Sequence, residues 1–379
     1  MRTYKKHLAI TAISMALTAL FIIPSQSLLA AEATIAGAEK ADKARKFTHF
    51  RVGDKNVKVI FLDGKITWIG TTGGVVRYDT SNDTFKRFDN ASGLLSSGVF
   101  YLGRLKGRLT AGTYGGGLSV LDETNLTWKN YNIPDGLGDA FIYDAIEVEN
   151  GDIWIATWSG VNRVRGGHLD DPSKWDLFTV ENTKGGLPND WVYGLAEGKN
   201  GELWLATEGG LARFVGGKWD NWNHDRGLGA PYEKVKAAID FKEDMGTASD
   251  HHAKQKIDMG LQNVDIAYNP NYVIALEVDR KGHVWAGTWG GGLSRFDGEK
   301  WTSYTTVEGL PGNHIFMLHL DTTGQLWIGT NKGLALWKNG KYEVMTTADG
   351  LFDNAVFSMA TTPDGGMWLG SLGGLAHLR

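Results

Sequence analysis

Two sets of positions carry the side chains best suited to chemistry. The first follows a recurring Thr or Ser and reads Thr72, Tyr114, Trp158, Glu208, Trp289, Asn331 and Leu372 in chain order. The second precedes a recurring Val or Ile and adds Gly98, Phe141, Trp191, Tyr272, His314 and Ala355. Tyr114, Phe141, Trp158, Trp191, Tyr272 and Trp289 offer flat apolar faces, and Glu208, His314 and Asn331 set sparse polar groups beside them. Such a surface suits a sugar ring or another amphipathic ligand, because aromatic faces supply contact area while a few polar groups fix orientation. Packing between repeats is the competing use of the same rings. Trp158 and Trp289 favour display, since their Gly-rich turns offer little core to pack against.

Other chemistries find less support. Asp250, His251 and His252, with His224 and Asp225 upstream, have the donor types for a divalent ion, but adjacent histidines on a polar stretch are ordinarily just solvated. The reading is therefore no metal and no cofactor. Asp170-Asp171 and Glu243-Asp244 are loop charges without an opposed carboxylate at a recognisable spacing. Serine nucleophile elbows and phosphate loops are absent. A chain without cysteine excludes thiolate nucleophiles, Cys-based zinc sites, iron–sulfur clusters and covalent haem.

The elements that position these residues are repeats. KITWIGTTGG, GRLTAGTYGGG, GDIWIATWSG, GELWLATEGG, GHVWAGTWGGG, GQLWIGTNKG and GGMWLGSLGG share one pattern. The key positions Trp68, Thr110, Trp154, Trp204, Trp285, Trp327 and Trp368 are spaced by 42, 44, 50, 81, 42 and 41 residues. A period near 40 signals small sheets that bury their apolar faces only by stacking on one another. The one long spacing predicts an insertion in the fifth repeat, residues 229–269, entering and leaving on the face that carries the aromatic positions. Tyr232 to Asp244 has a near-helical apolar spacing, and a stretch this long suggests a cap over that face or a docking element.

One period resolves into four strands. In residues 311–351 these are Ile315–Leu320, Gln325–Thr330, Leu334–Trp337 and Tyr342–Met345, separated by turns and left through Asp349-Gly350-Leu351. Four antiparallel strands per period is the content of a propeller blade. The exit tripeptide recurs, its Gly suited to positive φ and its Leu to a wedge between blades. The last repeat stops at Leu378-Arg379 without a fourth strand, and Phe47-Thr48-His49-Phe50 repeats the missing strand's aromatic spacing. The predicted fold is all-β: a seven-bladed β-propeller whose last blade is closed by the N-terminal strand, with a partly helical insertion in blade 5. Closure would remove sheet edges that otherwise invite aggregation.

Arg2, Lys5 and Lys6, an apolar run from Leu8 to Ile23 and Ala31-Glu32-Ala33 predict a secretory signal peptide over residues 1–33. A linker at 34–45 and the propeller at 46–379 follow. Removing residues 1–33 takes away three positive charges and one negative, moving the net charge from −4 to −6. A mildly acidic surface gives no electrostatic reason to bind nucleic acid or anionic lipid. A periplasmic or secreted chain is expected, with no membrane insertion after cleavage.

Gly309-Leu310-Pro311, Ile315, Gly324 to Thr330 and Gly333-Leu334 resemble the two-component regulator propeller repeats, as do Gly186-Leu187-Pro188, Val192, Gly201 to Thr207 and Gly210-Leu211. The resemblance covers residues 47–379. It implies a ligand-sensing propeller of the kind found outside the membrane in hybrid sensor kinases, often for oligosaccharides. Those proteins add a second propeller, a β-sandwich, a membrane span and a kinase, none of which is recognisable here. The expectation is an exported, non-catalytic propeller that binds a small molecule, an oligosaccharide or an exported partner protein. A metal-assisted propeller lyase or hydrolase using His314 and Glu208 on the same face, and a scaffold in an exported complex, are the alternatives.

Overall fold

The computed structural model describes residues 47–52, 56–239, 268–338 and 340–378. Within them the strands form seven separate four-stranded antiparallel sheets, each built mainly from consecutive strands. These are the blades. Their inner strands are Val57–Asp63, Val99–Leu105, Ile142–Glu147, Val192–Glu197, Asn269–Val278, Ile315–Leu320 and Val356–Thr361. In the seventh blade the outer place is taken by Phe47–Arg51, which pairs with Gly374–Leu378 from Phe47↔Leu378 to Arg51↔Gly374.

The recurring motif is the core of each blade. Trp68, Trp154, Trp204, Trp285, Trp327 and Trp368 are all buried, as is Thr110 where the second repeat lacks the indole. Turn carboxylates serve three of the indole N–H groups: Trp285 donates to Asp279 and Trp327 to Asp321, each at 3.0 Å, and Trp204 to Glu202 at 3.3 Å. The motif Thr has an equally local task. Thr71, Thr157, Thr207 and Thr330 each donate a side-chain hydrogen bond to the carbonyl of the Gly three residues on, at 2.8–3.0 Å, which pins the turn between second and third strands.

Apolar clusters lie between blades. Trp68, Val75 and Phe88 of the first pack with Val99, Leu102, Leu109 and Ala111 of the second. The exit leucines Leu94, Leu137, Leu187, Leu228, Leu310 and Leu351 are buried as wedges. Their glycines take positive φ at Gly93, Gly136, Gly227, Gly309 and Gly350. After the third blade the exit loop is longer, and positive φ falls on Gly185 in place of the expected Gly186. Polar clamps join the inner strands: the Asp144 carboxylate accepts from Leu195 N of the next blade at 2.8 Å, and Glu147 accepts from Lys106 N of the preceding one at 2.7 Å.

The inserted residues join the outer strand of the fourth blade, ending at Trp222, to the inner strand of the fifth, beginning at Asn269. The long spacing thus falls in the connection ahead of blade 5. The predicted helix is one α-turn, Tyr232–Val235, followed by a 3-10 turn, Lys236–Ala238, with Val235 buried. Residues 240–267 lie outside the described residues, and with them the cap expectation and the candidates Asp250, His251 and His252. Among the described residues no helix is long and apolar enough to cross a membrane.

Candidate functional site

A β-bulge is what builds the site. In every blade the pairing of inner and second strands slips just after the first-strand Val or Ile: between Val57 and Val59, Val99 and Tyr101, Ile142 and Asp144, Val192 and Gly194, Val273 and Ala275, Ile315 and Met317, and Val356 and Ser358. The residue inside each slip is unpaired, and a bulge re-aims its side chain away from the regular alternation. Those residues are Lys58, Phe100, Tyr143, Tyr193, Ile274, Phe316 and Phe357. None belongs to the two sets singled out from sequence. The signal was two residues further on, immediately after the Val or Ile instead of immediately before it.

The bulge residues and the expected ones meet in a closed circuit. Centroid distances are 5.3 Å for Phe100–Tyr143 and 4.8 Å for Tyr143–Tyr193. They continue at 4.8 Å for Tyr193–Tyr272, 5.7 Å for the stacked Tyr272–Trp289, 6.1 Å for Trp289–Phe316 and 5.2 Å for Phe316–Phe357. The Lys58 ammonium closes it, 4.0 Å from the Phe357 centroid and 5.9 Å from that of Phe100. All seven blades contribute through their inner strands or the turns beside them, so the circuit surrounds the axis of the ring.

A second arc adjoins it. Tyr114 meets Phe141 edge-on at 4.6 Å, Phe141 meets Trp158 at 4.7 Å, and Trp158 meets Trp191 at 5.4 Å and Tyr143 at 6.2 Å. The two sequence sets pair in blades 2, 4 and 6, as Tyr114 N to Gly98 O, Glu208 N to Trp191 O and Asn331 N to His314 O, which brings both to one face. His314 stands edge-on to Trp289 at 4.9 Å. Burial divides the nine candidates. Trp158, Glu208 and His314 are 4%, 9% and 2% exposed and belong to the wall, whereas Tyr114, Phe141, Trp191, Tyr272, Trp289 and Asn331 are half-buried and face outward in part. Trp158, expected on display, is packed among Phe141, Trp191 and Tyr143.

Electrostatics follow enclosure. Glu208 accepts a hydrogen bond from the Tyr193 hydroxyl at 3.1 Å, yet burial pushes its carboxyl up to about 7. Burial raises the Tyr193 and Tyr272 phenols as well, with the Glu208 charge adding to both. Lys58 is pushed down to about 8, because its surroundings cost the ammonium its hydration. One residue past the bulge of the third blade, Asp144 is held up at about 7 by burial despite its bonds to the Leu195 and Ala145 N–H groups. Glu277 also stands at about 7, raised by burial and then by the Asp144 charge.

His224 is held by the backbone, its Nδ1 2.7 Å from Leu228 O. Among the described residues no three His, Asp or Glu side chains gather as a metal site.

Residues 186–209, 267–290, 309–332 and 350–373 match the two-component regulator propeller family. These four stretches are two-component regulator propeller repeats. Three of the four matched stretches run from a blade's Gly-Leu exit to the turn after the next motif, so the propeller repeat straddles two blades and contains the bulge. No curated protein matches the chain. An extracellular domain assigned to a hybrid two-component system of B. thetaiotaomicron superposes with a TM-score of 0.67 at 21% identity, over 88% of this chain and 41% of that one. This chain therefore spans about two fifths of that domain's length. A catalytically inactive virginiamycin B lyase from Staphylococcus aureus, solved with quinupristin, gives a TM-score of 0.60 at 12% identity, over 88% of this chain and 99% of that one. YCF48 bound to D1 peptide gives 0.58 at 12%, over 88% and 96%. These likenesses establish the seven-bladed fold and no further property.

Proposed function

We propose that this chain is an exported, non-catalytic sensory propeller that binds an oligosaccharide or another small amphipathic ligand at the mouth of its axis. The observation that carries the reading is the circuit of rings from Phe100 to Phe357, closed by Lys58 and assembled at the inner-strand bulges, with Tyr272 and Trp289 standing in for the bulge residue of blade 5. Rings stacked around an axis give a ligand apolar faces to lie on, and Glu208, His314 and Asn331 add the few polar groups that orient it. Family membership of the repeats and likeness to extracellular domains of two-component systems support a sensory role outside the cytoplasm. Residues 1–33 act as the secretory signal in this reading. Signalling passes to a partner protein or to parts of a longer assembly.

A thermal-shift screen of the mature protein against neutral oligosaccharides, aromatic metabolites and divalent metals tests the reading, since a ligand of the folded state raises its melting temperature. A saccharide shift that Trp289→Ala removes while the protein stays folded is the expected result. A shift with divalent metals alone would favour the lyase-like alternative. Silence in all three classes would favour a scaffold.

A further inference from the structure

Lys58 is the lone cation of the aromatic circuit. Its ammonium lies against the Phe357 and Phe100 rings, and among the described residues it makes no ion pair and no hydrogen bond. A ring face favours positive charge but takes up none of the three N–H donors, which stay open to an oxygen acceptor. The carboxylates of the tyrosine-rich side of the circuit are engaged elsewhere. Glu208 accepts from Tyr193, Asp139 accepts from Ser159 Oγ and Phe141 N, and Asp144 accepts from Leu195 N and Ala145 N.

We propose that Lys58 is the anion anchor of the channel mouth, holding the carboxylate of a ring-shaped ligand whose flat face lies on Phe100, Tyr143 and Phe357. The inference rests on the ligand-binding reading above and deepens it to an acidic ligand. A charge-assisted hydrogen bond in a water-poor mouth is stronger than the same contact in solvent. A single ammonium matches a single negative charge; a dianion such as a phosphate monoester would need a second cation, and the other members of the circuit are uncharged aromatic residues. The depression of Lys58 to about 8 agrees with this, because an incoming anion restores what burial removes.

Isothermal titration of the full chain at neutral pH with glucuronate, benzoate and glucose decides the matter. At least one acid binds ~10-fold or more tightly than glucose, and Lys58→Met removes that preference whereas Lys58→Arg keeps most of it. Glucuronate over benzoate identifies a sugar acid; the reverse identifies an aromatic acid. Lys58→Gln serves as a second neutral variant, and melting temperatures confirm that each variant is folded. Acids that bind no better than glucose, or that bind folded Lys58→Met unchanged, overturn the anchor while leaving the ligand-binding reading intact. Failure of all three compounds to bind wild-type protein also overturns it.

Discussion

The two halves of the aromatic circuit share one backbone and differ in chemistry. Around blades 3 to 5 the circuit is phenolic and indolic, with Tyr143, Tyr193, Tyr272 and Trp289 backed by the buried carboxyl of Glu208. Around blades 6, 7, 1 and 2 it is Phe316, Phe357, Lys58 and Phe100: bare rings about one amine. The same bulge presents Phe100, Tyr143, Tyr193, Phe316, Phe357 and Lys58, and only blade 5 substitutes Tyr272 and Trp289 from beside it, so the scaffold fixes where a side chain stands and leaves its identity free. A ligand lying across the axis would meet hydrogen-bonding groups on one side and a cation on the other, which sets its orientation as well as its affinity.

Substitutions can sharpen this contrast or dissolve it. The largest effect is expected at Trp158, which the structure makes part of the wall: Trp158→Ala should cost about 3–5 kcal/mol of stability, measured by chemical denaturation. A loss below about 1 kcal/mol would return Trp158 to the displayed surface. The next effect depends on pH. Glu208 has a folded pKa of about 7 against an ordinary 4.5, so its ionisation opposes folding. That cost is absent well below 4.5, grows as pH rises toward 7 and is complete above it. Glu208→Gln should leave the melting temperature near wild type at low pH and raise it at pH 8, by the equivalent of about 1–3 kcal/mol. A pH-independent difference would mean that the carboxyl is better solvated than its burial implies. The smallest effect belongs outside the mouth. Phe85 is 77% exposed, and Phe85→Ala should change stability by no more than about 0.5 kcal/mol.

Legibility tracked the physics of repetition. Blade content, the buried motif Trp and the wedge leucines recur seven, six and six times, and a signal repeated that often survives local noise. The strands predicted at Ile315–Leu320 and Tyr342–Met345 lie within one residue of those observed. The nine candidate side chains do gather on one face. Sequence could not separate Trp158 from Trp191, because two indoles flanking similar turns differ only in what neighbouring blades place over them. Lys58 went unnoticed for a different reason. In a regular strand the residue after a buried Val is an ordinary outward position, and only the bulge carries it to the axis. Asp144 and Glu277 were likewise invisible, since each owes its raised pKa to burial, and Glu277 also to the Asp144 charge, which only the folded ring creates.

The seam in the seventh blade has a mechanical side. Phe47 lies opposite Leu378 at one end of that pairing, and Arg51 lies opposite Gly374 at the other. Tension applied between Phe47 and Leu378 would load a single end of the ladder, parting its bonds one after another as a zipper parts. Shear, by contrast, would load them all together. The ring is thus held by a seam that yields to pulling in steps. If this propeller is tethered through both ends, the seventh blade is where it would open first.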